Sequence, residues 1–142
     1  MRIFQAGLIY FMLAFGAGFA LACVRIPLLV PALGVRTAEL IEAPVMLAVI
    51  VWASRRLVRQ HPGFSRRQRL TAGLFALACL VLAELAVAWL LGARSLEEYV
   101  ASRDPVSGGV YLASLLFFAV APALWSGRPG DPPVGIDAPT GL

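Results

Sequence analysis

The sequence has no lysine, one histidine, two cysteines and few charges of either sign. Only 14% of its 142 residues are charged, whereas 60% are hydrophobic. Soluble domains carry about a quarter charged residues, so a soluble fold is excluded and lipid is the environment that suits the chain. A single histidine, His61, excludes a metal site built from several imidazoles and haem ligation by two histidines within the chain. It reads instead as a solvated turn residue. Cys23 and Cys79 both lie inside apolar runs, which excludes a disulfide framework and leaves two small buried thiols. Enzyme signatures are also missing: no nucleophile stands beside a base, and no glycine-rich phosphate loop follows a strand. Gly16-Ala17-Gly18 lies within an apolar run and is no dinucleotide fingerprint. No cofactor and no metal are expected.

All twelve basic residues are arginine, and the net charge is +4. Nucleic acid is not the partner this implies. The arginines sit between apolar runs rather than among aromatics on a polar surface, and there they set membrane orientation.

Four runs are long enough to cross a bilayer, which takes roughly 20 apolar residues. The fold class is therefore an all-α integral membrane protein, with four spans in an antiparallel bundle at about 3–24, 37–57, 66–91 and 105–126. These form one domain over 1–126, followed by a Pro/Gly-rich cytoplasmic tail, 127–142, expected to be disordered. The first run exceeds the ~7–15 residues of a signal-peptide core and is read as a retained span. Its Ala14, Gly18 and Ala22 recur every fourth residue, with Gly16 and Ala20 beside them, a spacing that lets helices approach closely in lipid. Pro27 and Pro31 then require a kinked continuation or an irregular apolar loop.

In the second span Thr37 is the expected N-cap, Glu39 suits the positive end of the helix dipole, and Pro44 bends the helix. Ser65 and Gln68 form a capping box for the third span, which Gly92 closes. Ser95 and Glu98 form another. With Leu96, Tyr99 and Val100 on one face, they predict a short interfacial helix between spans three and four. Asp104-Pro105 opens the fourth span, with Asp as cap and Pro in the first turn.

Arg55, Arg56, Arg59, Arg66, Arg67 and Arg69 crowd one short connector, which the positive-inside rule makes cytoplasmic. Both termini are then cytoplasmic too. Trp52, Trp89, Tyr111 and Trp125 fall near span ends, as aromatic belts do. On this topology Arg25, Arg36, Glu39, Glu42 and Glu84 all lie in the outer half of the membrane or at its outer face. A charge at bilayer centre costs ~2.5–3.5 kcal/mol on insertion scales, so Glu84 should face inward. Arg25 is the natural partner, since a guanidinium bridges two carboxylates. The expectation is an inward cluster of Arg25, Glu42 and Glu84, with Arg36 and Glu39 as outer rim charges.

The layout looks like that of small four-span bacterial inner-membrane proteins. It resembles the small multidrug transporters in size only: that family carries an essential Glu within its first span, and none is present here. The first functional expectation is an accessory or interaction subunit, acting by helix packing against another membrane protein, a second copy of itself, or the lipid bilayer. The second is a small proton- or cation-coupled transporter using Glu42 and Glu84. The third is a lipid-modifying membrane enzyme with one of those carboxylates as acid or base.

Overall fold

The computed structural model describes residues 1–92 and 104–125. The interfacial helix expected near Ser95–Val100 and the tail expected over 127–142 lie outside the described residues. Within them the chain is all-helical: α1 (Arg2–Val24), a π-helical segment (Arg25–Leu29), α2 (Val30–Leu33), α3 (Val35–Gln60), α4 (Arg66–Leu90) and α5 (Pro105–Leu124). The first three join into one rod, Arg2–Leu33. With α3, α4 and α5 it makes four helices of 32, 26, 25 and 20 residues, long and apolar enough to cross a membrane. Leu8, Met12, Leu82, Leu112 and Leu116 are all exposed on the outside of the bundle. Such a surface is stable only against hydrocarbon, and the class it defines is a multi-pass membrane protein.

The two prolines after Arg25 continue the first rod rather than ending it. Pro27 and Pro31 each lack the N–H that an α-helix would bond four residues back. The backbone widens instead, so that Val30 N–H reaches the carbonyl of Arg25, five residues behind. Gly34, at φ 81°, then reverses the chain in a single residue, a conformation that glycine adopts without steric cost. This moves the start of α3 forward. The helix begins at Val35 with Gly34 as its cap, and Thr37 lies inside its first turn. Glu39 falls beyond that first turn, and three other expected signals are in place. Ser65 Oγ accepts from Gln68 N–H, and the Gln68 side chain accepts from Ser65 N–H. Gly92, at φ 96°, follows the last turn of α4. Asp104 caps α5 by accepting from the Val106 and Ser107 N–H groups.

Around the bundle, α1 packs on α3 and α4, and α5 also packs on α3 and α4. The helices joined by the Arg-rich connector are thus across from each other, and so are α1 and α5. The buried hydrophobic core cluster lies towards one end, while Ala38 and Ser107 are buried at the other. The core cluster is made of Ala6, Tyr10, Phe11, Ala53, Leu57, Ala72, Ala76, Phe118 and Ala121. The approach is tightest at Gly73, where a Cβ would run into the Ala119 carbonyl, and at Gly7, where it would come within 2.7 Å of the Ala72 carbonyl oxygen. The expected small-residue stripe contributes differently. Ala14 is buried in the core and Gly18 faces Met46, but Gly16 points into open space. Cys23 is exposed on the outside of the first rod and Cys79 is half-buried, so only the second approaches the buried thiol expected.

Candidate functional site: a charged cavity between the four helices

Beyond the packed end the helices separate around a cavity of about 380 Å³. Its inner end is closed by Ala14, Ile50 and Phe118, and all four long helices contribute to its wall. Among its lining residues are Arg25, Glu39, Glu42 and Glu84.

Arg25, which lines the cavity, is the first residue of the widened π-helical turn. Its Nη1 donates to Glu39 Oε1 at 3.1 Å. Its Nε lies 2.9 Å from Glu42 Oε2, close enough for an ion pair but not aligned as a hydrogen bond. Glu39 and Glu42 sit three residues apart on one face of α3, and both side chains are largely buried. Across the cavity, Tyr111 of α5 donates its hydroxyl to Glu84 Oε2 of α4.

Arg25, Glu42 and Glu84 thus line one space, and Glu39, expected at the rim, joins Arg25 inside it. Arg36 does not enter the cluster. It turns to the N-terminus of α5, where its Nε and Nη2 both reach Asp104 Oδ1, at 2.9 and 2.5 Å. That bidentate contact, with the Ser107 N–H bond, holds the Asp104 carboxyl down at about 2. Tyr111, expected in an aromatic belt, is a cavity residue instead. A periodic signal marked it: Ser107, Tyr111, Ser114 and Phe118 recur at helical spacing on α5, and all four line the cavity.

The Arg-rich connector divides. Arg55, Arg56, Arg59, Arg66 and Arg67 are exposed. Arg69 is buried and donates to the carbonyls of Trp125, at 2.7 Å, and Pro62, at 3.4 Å. Trp125 in turn donates Nε1–H to Ser54 Oγ at 2.8 Å, and the Arg55 guanidinium lies over its ring. The sequence reading groups Arg69 with the other arginines of the connector. The missed signal is that residues 69, 72, 73 and 76 form one helical stripe, the face that packs. His61 is half-buried, its ring stacked on Phe64.

No group of three or more His, Cys, Asp or Glu that could hold a metal ion occurs among the described residues. No protein-family model matches the chain, and neither a curated protein nor a solved structure is significantly similar to it.

Proposed function

We propose that this chain is a small proton- or cation-coupled transporter of a bacterial inner membrane, with Glu42 and Glu84 as the groups that exchange a proton for a cation. One observation carries the reading. Three carboxylates and one guanidinium line a cavity set between helices of membrane-spanning length. With all of them ionised, the wall carries two net negative charges. In a low-dielectric setting such an excess is neutralised by protons or by a bound cation. Protons and cations then compete for the same carboxylates, and this competition is the chemical basis of exchange.

The proposed orientation has the connector and both termini in the cytoplasm and the cavity towards the outer face. The exposed arginines of the connector support it through the positive-inside rule. An antiparallel arrangement of successive spans is supported by contacts at the packed end, where early residues of α1 and α4 (Phe4, Phe75) meet, as do late residues of α3 and α5 (Ser54, Trp125).

The test is decay of a pH gradient across proteoliposomes, followed with an entrapped dye, on adding Na⁺, K⁺ or a small organic monocation. The wild type should release the gradient with at least one of them, and Glu84→Gln, folded and reconstituted equally, should not. Gradients that persist with every cation would refute the transporter.

The second reading, an accessory subunit that docks on another membrane protein or on its own copy, is favoured by the outer face of α1. Gly16 and Ala20, four residues apart, are both exposed there, and among the described residues no helix covers Gly16. Small residues at that spacing suit close helix contact in lipid. If this reading holds, Gly16→Leu should release a partner, or a second copy, that co-purifies in mild detergent.

A further inference from the structure

We infer that the cavity takes an organic monocation with an aromatic or otherwise apolar body, rather than an inorganic ion. The inference rests on the cation-binding reading above and names its ligand.

Three features of the cavity converge on this class. The first is size. A space of about 380 Å³ falls within the roughly 300–1,000 Å³ typical of small-molecule sites, and is far larger than a bare or singly hydrated metal ion needs. The second is the disposition of charge. An inorganic cation asks for several oxygens converging at about 2.0–2.6 Å. Here Glu39 and Glu42 are drawn to Arg25 on one wall, Glu84 is held by Tyr111 on another, and no cluster of three or more metal-ligating side chains occurs among the described residues. A diffuse ammonium charge needs no such cage. It is stabilised by an excess of negative potential distributed around it, which three carboxylates against one guanidinium supply.

The third feature is the lining between the charges. Phe15 and the largely exposed Phe19 line the cavity from α1, and buried Phe118 closes its inner end. Phe15 and Phe19 follow one another up the helix with ring centres 6.4 Å apart. Aromatic faces attract cations by about 0.5–2 kcal/mol each, most strongly where water is excluded, and they bury an apolar body equally well. An anion of the same shape would meet the same walls and be repelled by the carboxylates. A neutral molecule would gain the burial but not the charge. In the proposed exchange the cation displaces a proton from Glu42 or Glu84, so affinity should rise with pH, by up to tenfold per pH unit where one proton leaves per cation bound.

The test uses purified full-length protein in mild detergent and three probes of one shape class: phenyltrimethylammonium, its neutral isostere tert-butylbenzene, and the anion benzenesulfonate. Binding is read by titration calorimetry, with ligand-detected NMR as a second signal and protein-free micelles as the blank. Saturable binding of phenyltrimethylammonium is expected, stronger at pH 8 than at pH 6 and weakened at least tenfold in Glu84→Gln and in Glu42→Gln. Ser114→Phe, which fills the cavity without touching a charge, should abolish binding, and it guards against a Glu variant that fails to fold. Arg59→Gln, at the far end of the bundle, should leave it unchanged. If tert-butylbenzene binds and competes as well as the cation does, the cavity is an apolar hole and the inference is overturned. If no organic cation binds while Na⁺ or K⁺ dissipates the proteoliposome gradient, the ligand class is wrong and the transporter stands. If there is neither binding nor flux with any cation, both fall.

Discussion

Tyr10 carries the structure's most testable hydrogen bond. Its hydroxyl donates to the Phe118 carbonyl at 2.9 Å, across the bundle from α1 to α5. That carbonyl would ordinarily accept from the N–H four residues on, but the residue there is Pro122, which has none. Spanning helices tolerate proline where a neighbouring group satisfies the freed carbonyl, and Tyr10 is that group. Tyr10 is 1% exposed, so water cannot replace it. Tyr10→Phe keeps the ring stack on Phe118, whose centroids are 4.4 Å apart, and deletes only the donor. An orphaned buried acceptor costs about 1–3 kcal/mol. Interhelical hydrogen bonds measured in lipid average about 0.6 and reach about 1.7 kcal/mol. A loss of about 1–2 kcal/mol is therefore expected, read as a shift in SDS-induced unfolding from mixed micelles. The decisive arm is the Pro122→Ala background, which restores an N–H to α5. There the same Tyr10→Phe change should cost less by about 1 kcal/mol, and a double-mutant cycle isolates that coupling. An equal cost in both backgrounds would mean that Tyr10 acts by packing and that the proline argument is wrong.

The same unfolding assay separates two glycines that look alike in sequence. Gly73→Ala drives a methyl into the Ala119 carbonyl and should cost about 1–3 kcal/mol, whereas Gly16→Ala meets open space and should be neutral or stabilising by about 0.5–1 kcal/mol. A pH dependence follows from Asp104. Its folded value of about 2 lies below the ordinary 3.8, so its contribution is fully present above about pH 4 and is lost as pH falls towards 2. Subtracting the acid-unfolding curve of Asp104→Asn from that of wild type should give a difference that is constant above about pH 4 and vanishes as pH falls towards 2, and Arg36→Gln should shrink it.

Much of the fold was legible because bilayer physics leaves few choices. Uninterrupted apolar runs and their caps located all four helices, and Ser65–Gln68 and Asp104–Pro105 fixed two starts to the residue. The sequence was ambiguous where backbone chemistry has two solutions. Pro27 and Pro31 rule out a regular α-helix, but not whether the chain widens into a π turn or leaves the helix. Gly34, whose positive φ decides where α3 begins, carries no polar cap to announce itself, so Thr37 took its place. The charged site was legible in outline, since carboxylates within an apolar run must find company. Its partners were not. A single span cannot reveal that Tyr111 on α5 faces Glu84 on α4, that Glu39 lies inside the Arg25 pair, or which carbonyls Arg69 reaches from its packing stripe. Those contacts depend on the order of helices around the bundle, which no local pattern encodes.

That order also bears on what the cavity is for. A bundle built only to hold a shape would fill both ends alike, because voids and buried charges each destabilise it. Here one end is filled and hydrogen-bonded: Tyr10 to Phe118, Arg69 to Trp125, Trp125 to Ser54. The other surrounds a cavity that holds the carboxylates of Glu39, Glu42 and Glu84. On the proposed transporter reading, substrate passage requires the closed end to open, so the bonds that close it would set the cost of that step. Weakening Trp125–Ser54 by Ser54→Ala should then lower stability yet leave cation affinity at the far end unchanged, and it should speed any flux limited by opening. A change in flux without a change in affinity would separate gate from site. Affinity lost together with stability would mean that the two ends fold as one unit and that the cavity has no gate at its packed end.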